Sequence, residues 1–348
     1  MNKTNKRVTI KDIAEYCGTT ANTVSRAMRN DPGISEATIH KIQQVAQEMG
    51  YIRNNLAATM RSGQSKLISV IVDDIKNPHN ATLIDKMDSL LKEEGYDTMT
   101  LCTQGRLDKR QSMANLSVSN SVDGILYFPD SNDADIANKI MKNRVPLVLI
   151  DRVITGVSAD VVRCDDYQGG VLAAEHLLNL GHRKFVYIGG PKGNGAQPLR
   201  QSGFINTLIQ RGINLSHITI IDADQIYPAI QAGTIYNILS PIIYTCIFSF
   251  NDQIAYHVMN SLRDNGYQVP DDISIIGFDH IRGALSYLQP LSSIASKYEA
   301  DMAEKSVLLL LRRIKEPNVD TVSEILPVTL HEQISSIKKI GRASCRER

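Results

Sequence analysis

VTIKDIAEYCGTTANTVSRAMRN, residues 8–30, decides the reading of the N-terminal part of this 348-residue chain. Thr9 stands where it can cap a helix, and Ile10, Ile13 and Ala14 follow at the spacing of one helical face. Cys17-Gly18 ends that helix, because glycine accepts the left-handed turn at low cost. Thr19 or Thr20 then caps a second helix whose Val24, Ala27 and Met28 share a face, and Pro32-Gly33 closes it. Ser35 caps a third, SEATIHKIQQVAQEMG, with Ile39, Ile42, Val45, Ala46 and Met49 turned inward. Three short helices with a tight glycine turn between the first two match a helix-turn-helix unit, whose second helix suits a major groove, although small three-helix modules also serve in protein contacts. Its outward residues Thr20, Ala21, Asn22, Thr23, Ser25 and Arg26 are the candidates for base and phosphate contact. An asparagine amide matches an adenine edge, an alanine methyl packs on thymine, and an arginine fork serves guanine or phosphate.

Charge agrees with that reading. Through Lys66 there are ten Lys and Arg against five Asp and Glu, while the whole chain carries only +1. A basic head on an acidic body points to a polyanionic partner for the head.

Beyond Lys66 the chain alternates apolar runs with amphipathic stretches. Strands are expected at 67–74, 98–102, 124–129, 146–151, 161–165, 184–190, 217–222, 244–250 and 273–279, with ILPVTLHEQIS (325–335) as the last. β-branched strands alternating with helices imply parallel sheets covered on both faces, and the length favours two lobes over one sheet. Ligands of such folds bind beyond the carboxyl ends of strands. Polar residues gather there: Asp73-Asp74, Asp151-Arg152, Asp165-Asp166, Asn251-Asp252 and Asp279. A helix cap is as good an explanation for any one of them.

Several classes are excluded. Five scattered cysteines without a CxxC pair argue against a disulfide frame or a thiolate zinc site, and the eight histidines lack metal-ligand spacing. No cofactor is expected: GGPKGNG (189–195) fits neither dinucleotide nor nucleoside-triphosphate loop patterns and reads as a turn at a cleft rim. With no nucleophile elbow or motif-defined base, catalysis is not expected. No run is long and apolar enough to span a bilayer, and the polar N-terminus is unlike a secretory signal, so a cytoplasmic location, at the nucleoid when DNA is bound, is expected. The basic GRASCRER end lacks periodicity and reads as a cloning scar or disordered tail.

VTIKDIAEYCGTTANTVSRAM, the third helix and GYIRNNLAATMRSG together resemble the head of the LacI/GalR family of bacterial repressors. The likeness continues through Asn77-Pro78, LIDR, DDYQGGVLAAEHLLNLGHRKFVYIGGP, RQSGF and FNDQIAYHVMNSLRDNGYQVPDDISIIGFD, to about residue 334. It implies an all-α helix-turn-helix domain over 1–53, a hinge helix and linker over 54–64, and a two-lobed α/β domain of periplasmic-binding-protein type over 65–338. Residues 339–348 are left as the tail.

The resemblance further implies a homodimer on a near-palindromic double-stranded operator, with paired hinge helices in the minor groove and Met60 as the wedge at a central base step. It adds Thr9, Tyr51, Asn54 and Ala57 to the DNA-facing residues. A sugar-like effector is implied between the lobes, contacted by Arg200, Asn251 and Asp279, with Asp151 facing from the other lobe. His79 and Asn80 stand where the family has two aromatic residues, so any stacking platform would come from elsewhere, Tyr127 and Phe128 being candidates. A solute-binding protein and a regulator dependent on a nucleobase-type corepressor are the alternatives.

Overall fold

The computed structural model describes residues 8–51, 63–283, 285–286, 288–297 and 301–337. The hinge residues Asn54, Ala57 and Met60, and the tail 339–348, lie outside the described residues. The chain divides into two compact units, Met1–Ser65 and Lys66–Arg348.

In the first unit, α1 is Ile10–Cys17, α2 is Ala21–Ala27 and α3 is Glu36–Glu48. Each begins on the hydroxyl residue that the sequence indicates. Thr9 and Asp12 form a reciprocal capping box. Thr20 Oγ1 accepts from the Thr23 N–H at 3.1 Å, and Ser35 Oγ from the Thr38 N–H at 3.4 Å. Gly18 takes the left-handed cap of α1 at φ 64°. Ile13, Ala14, Val24, Ala27, Ile39, Ile42, Val45 and Ala46 make one small core, with Met49 and Tyr51 packed at its edge.

The second unit runs β1 Leu67–Val72, α4 Pro78–Glu93, β2 Asp97–Cys102, α5 Leu107–Ser119, β3 Gly124–Tyr127, α6 Ala134–Lys142, β4 Leu147–Ile150 and β5 Asp160–Cys164. Next come α7 Asp166–Asn179, β6 Phe185–Ile188, α8 Ala196–Gln210, β7 Ile218–Ile221, α9 Ala223–Ala232, α10 Ile235–Leu239, β8 Cys246–Ser249, α11 Asp252–Asp264 and β9 Ser274–Phe278. It closes with β10 Ser292–Ser296, α12 Asp301–Lys315, β11 Ser323–Leu326 and β12 Val328–His331.

Two six-stranded sheets result, in the orders β11-β5-β4-β3-β1-β2 and β12-β10-β9-β8-β6-β7. The first is parallel throughout; in the second only β12 runs antiparallel, against β10. Both faces of each sheet carry a packed apolar layer, which is why the central strands read as unbroken apolar runs.

One expectation is corrected. ILPVTLHEQIS is not a single strand: Leu326 pairs with Cys164 in the first sheet and Val328 with Ser296 in the second. Pro327 stands between them, and its carbonyl accepts from Lys297 N–H at 2.9 Å. A proline has no N–H for a ladder, so the strand can break there and change sheets. The chain therefore passes between the lobes three times: after β5, after β10 and at Pro327. β10 itself, SSIAS, has a composition that does not announce a strand.

Candidate functional site

At the carboxyl end of β4, Asp151 takes φ 67°; at the carboxyl end of β9, Asp279 and His280 take φ 96° and 50°. Each aspartate donates its N–H at 2.7 Å across to the next strand, Asp151 to Val162 and Asp279 to Ile294. The two lobes thus present the same kinked strand end toward one another. Left-handed backbone at a non-glycine residue costs on the order of 1–3 kcal/mol and persists where the surroundings impose it, commonly at binding sites.

Between these ends lies a cavity of about 670 Å³, open solvent included, lined by His79, Leu83, Asp151, Arg200, Phe278 and Asp279 among others. Arg200 is its centre. Nε donates to Asp166 Oδ1 at 2.8 Å, Nη1 to the Phe250 carbonyl at 2.7 Å, and Asp279 Oδ1 lies 3.6 Å from Nη1. The guanidinium carbon sits 3.4 Å over the Phe278 ring. Burial works against the charge, yet Asp166, Asp279 and Asp151 outweigh it and hold the arginine above its ordinary pKa. Burial pushes the Asp166 carboxyl up to about 6 against the pull of Arg200, with Asp151 and Asp279 adding to the rise. Asp166 Oδ2 and Ser296 Oγ, the latter on the cavity wall, are buried and have no hydrogen-bond partner among the described residues.

The sequence explains how Arg200 and Asp166 meet. Gly170 of α7 and Gly203 of α8 lie against each other's helix backbone, where a Cβ on either would overlap Arg200 O or Tyr167 O. Asp166 sits four residues before Gly170 and Arg200 three before Gly203, so one close crossing brings carboxylate and guanidinium together.

Other expected residues fall differently. Asn251 is buried and its Oδ1 accepts from Ile254 N–H at 3.0 Å, capping α11; it does not line the cavity. Tyr127 is fully buried, its hydroxyl on Asp133 at 2.6 Å; Phe128 belongs to the first lobe's core and lines a neighbouring cavity, and neither residue lines this one. Asn80 is buried and ties the loop after β1, donating to Asp73 Oδ1 and the Asp74 carbonyl at 2.9 and 2.8 Å.

Three contributors were not among the expected effector contacts, though Asp166 and Asp252 stood among the polar strand ends. Asp166 carried the signal of its strand-end position only. Asp252, 1% exposed, accepts from Ser293 Oγ at 2.7 Å and Ile281 N–H at 3.0 Å, and so braces the loop bearing Asp279 and His280. Burial drives its carboxyl well above the usual range, countered by the Ser293 bond. The Tyr227 hydroxyl of α9 is pushed up by burial and then by Asp73, a residue of the other lobe; nothing in QIYPAI marks it.

A second cavity, about 1240 Å³ with open solvent, is lined from the first lobe by Asp73, Arg110, Asp130 and Arg152 and from the second by Lys192 and Asn194. There Ser131 N–H donates to the Gly193 carbonyl at 3.0 Å, which places the glycine-rich turn at the rim.

In the N-terminal unit, Ala21 and Asn22 are exposed at the start of α2. The Thr20 and Thr23 hydroxyls lie 3.0 Å apart, Thr20 being the cap, and Thr9 also caps. Ser25 is half-buried, its carbonyl accepting from Arg29 at 3.2 Å. Arg26 forks onto Asp31 through Nε and Nη2 at 3.1 and 3.0 Å. Tyr51 packs on the core edge. No helix among the described residues is long and apolar enough to cross a membrane, and among them no group of three His, Cys, Asp or Glu could hold a metal.

Residues 9–54 match the description "Bacterial regulatory proteins, lacI family", and 174–336 match "Periplasmic binding protein-like domain". The sucrose operon repressor of Lactococcus lactis subsp. lactis is 30% identical over 325 residues, spanning 93% of this chain and 98% of the relative. The transcriptional repressor PurR of Photobacterium profundum is 29% identical over 313 residues, 89% of this chain and 93% of the relative. Among solved structures, a periplasmic binding protein/LacI transcriptional regulator from Alkaliphilus metalliredigens QYMF complexed with D-xylulofuranose superposes with TM-score 0.70 at 26% identity, over 78% of this chain and 99% of that one. A lac repressor dimer bound to operator and the anti-inducer ONPF shares the fold, with TM-score 0.78 at 23% identity over 95% of this chain and 100% of that one.

Proposed function

The chain belongs to the lacI family of bacterial regulatory proteins, and from that premise we propose a homodimeric, non-catalytic repressor acting in the cytoplasm, its operator affinity set by a neutral, hydroxyl-rich effector held between the lobes. α2 is its base-reading helix, with Ala21, Asn22 and Arg26 turned to the major groove. Met60 is its minor-groove wedge.

The observation that carries the effector reading is the pairing of Asp151 and Asp279 from opposite lobes around Arg200. Three carboxylates, counting Asp166, surround one guanidinium whose Nε and Nη1 donors are already engaged. An anionic effector meets uncompensated negative charge there. A sugar presents hydroxyl donors to Asp151 and Asp279 and its apolar ring edge to Leu83 and Met302. Since binding draws on both lobes, effector binding favours one interlobe arrangement, and operator affinity changes by no more than the ligand's differential affinity for the two arrangements.

A nucleobase is the second reading, which the PurR relative favours. Phe278 speaks against it, since Arg200 already covers one face of that ring.

The test is calorimetric titration of the full-length dimer with free sugars, their phosphorylated forms and nucleobases, followed by operator binding with each ligand that binds. A neutral sugar that binds and shifts operator affinity supports the reading. Preference for a phosphorylated sugar or a nucleobase refutes the effector class.

A further inference from the structure

Arg26 and Asp31 are five residues apart and belong to no common helical face; the turn between α2 and α3 brings them together. The Asp31 N–H donates to the Arg26 carbonyl at 3.2 Å, and Gln43 of α3 reaches back to Asn30 Oδ1 at 2.8 Å. On this pinned turn the Asp31 carboxylate receives three N–H groups: Arg26 Nε at 3.1 Å, Arg26 Nη2 at 3.0 Å and the Gly33 backbone at 2.9 Å. The Arg26 bonds, and after them the Gly33 bond, hold the carboxyl down at about 2. The pair is therefore charged throughout neutral pH. Gly33 completes the arrangement by lacking a side chain, for a Cβ there would overlap Arg26 Nη2.

A planar guanidinium has two edges able to make paired hydrogen bonds, the side edge Nε/Nη2 and the end edge Nη1/Nη2. Asp31 takes the side edge. The end edge keeps two parallel N–H groups, the pattern that matches guanine O6 and N7 in the major groove. Arg26 also lies four residues after Asn22, on the same face of α2. The fork thus stands one helical turn from an adenine-reading amide.

We propose that Asp31, with Gly33 leaving the space, is a positioning residue that presents the end edge of Arg26 to a guanine in each operator half-site. The proposal rests on α2 being the base-reading helix. An exposed arginine normally loses rotamer freedom on making a bidentate contact; a fork already held on a carboxylate has lost it beforehand, so selectivity gains. A guanidinium fork fits phosphate as well, and the two contacts differ in sequence dependence: a guanine contact gives a preference at one position, a phosphate contact gives none.

The test uses full-length protein. Selection from random duplexes defines the site, and fluorescence anisotropy then measures binding to that site and to every single-base-pair change in it. Wild-type protein is expected to disfavour replacement of one G·C pair per half-site by about ten- to a hundredfold. Arg26→Gln erases that preference. Asp31→Asn keeps an acceptor for the Gly33 N–H and is expected to fold normally by circular dichroism. It lowers the same preference by about fivefold or more and leaves the other positions unchanged. Gly33→Ala, which intrudes on Nη2, lowers it as well.

The proposal is overturned if Asp31→Asn retains the full G·C preference. It is equally overturned if Arg26→Gln weakens all sequences alike and reduces the salt slope by about one, the mark of a phosphate contact. Wild-type protein that enriches no sequence refutes the base-reading role of α2, and the clamp with it.

Discussion

Asp166→Asn isolates the charge balance on which the interlobe site depends. Asp166 is 1% exposed, with one oxygen on Arg200 and the other without a hydrogen-bond partner among the described residues. Burial raises its carboxyl from 3.8 to about 6 in the folded protein. A carboxyl raised in this way binds its proton more tightly folded than unfolded, so its contribution to stability is greatest at low pH and is lost as pH rises from about 4 through 6. The full span corresponds to about 3 kcal/mol at roughly 1.36 kcal/mol per pKa unit, and a little over about 1 kcal/mol of it falls between pH 5 and pH 7.

Asparagine keeps the shape and the acceptor for Arg200 Nε but does not titrate. Urea unfolding of wild type and variant from pH 5 to pH 7 reports on the group and the carboxylates beside it, because titrations elsewhere in the chain cancel in the difference. Stability of the wild type relative to the variant is expected to fall by about 1 kcal/mol over that range. Parallel curves, or a difference that grows with pH, would refute the reasoning and show that Arg200 holds Asp166 ionised throughout.

Arg200→Met is expected to destabilise by about 3–5 kcal/mol, since it strands Asp166 and Asp279 without their cation. Adding Asp166→Asn should recover much of that loss in the same unfolding assay. Asp279→Gly removes a left-handed non-glycine residue at φ 96°. Stability should stay within about 1 kcal/mol of wild type, while titration with whichever ligand binds the wild type shows at least about a tenfold weaker affinity, on the order of 1.4 kcal/mol. Destabilisation beyond about 2 kcal/mol, the cost of a lost buried hydrogen bond, would mean the carboxylate is held for structure. Tyr127→Phe removes the hydroxyl bond to Asp133, which still accepts from Arg110 Nε and Asp130 N–H. The expected cost is about 1–2 kcal/mol by denaturation, without change in effector affinity.

Local patterns carry through well where one segment buries its own face. The three helices of the head begin on Thr9, Thr20 and Ser35 because a cap and its target N–H are three residues apart, a relation written in the sequence. All nine runs between 67 and 279 became strands; the central ones were plainest because parallel strands there are buried on both faces and hold little that is polar, while β2 and β7 lie at sheet edges and are partly exposed. β10 escapes notice for the opposite reason. Its Ser292 and Ser293 are buried polar groups, satisfied by Ser335, Ser336, Gln333 and Asp252 far away in the chain. No local periodicity announces such a strand.

The site divides in the same way. Asp151 and Asp279 were legible as strand-end carboxylates, but a strand-end asparagine looks no different from one that caps a helix, and Asn251 proved to be capping. Sequence by itself determined the three helices of the head and most of the strands, the outward face of α2 and the set of polar strand ends, since these depend on neighbours within one or two turns. Only tertiary structure decided which of them act together. Arg200 draws its partners from 34, 50 and 79 positions away, Pro327 divides one apolar run between two sheets, and Asp31 reaches Arg26 only because a turn folds back. Contacts of that kind arise from chain segments crossing in space, and crossing leaves no period in the sequence.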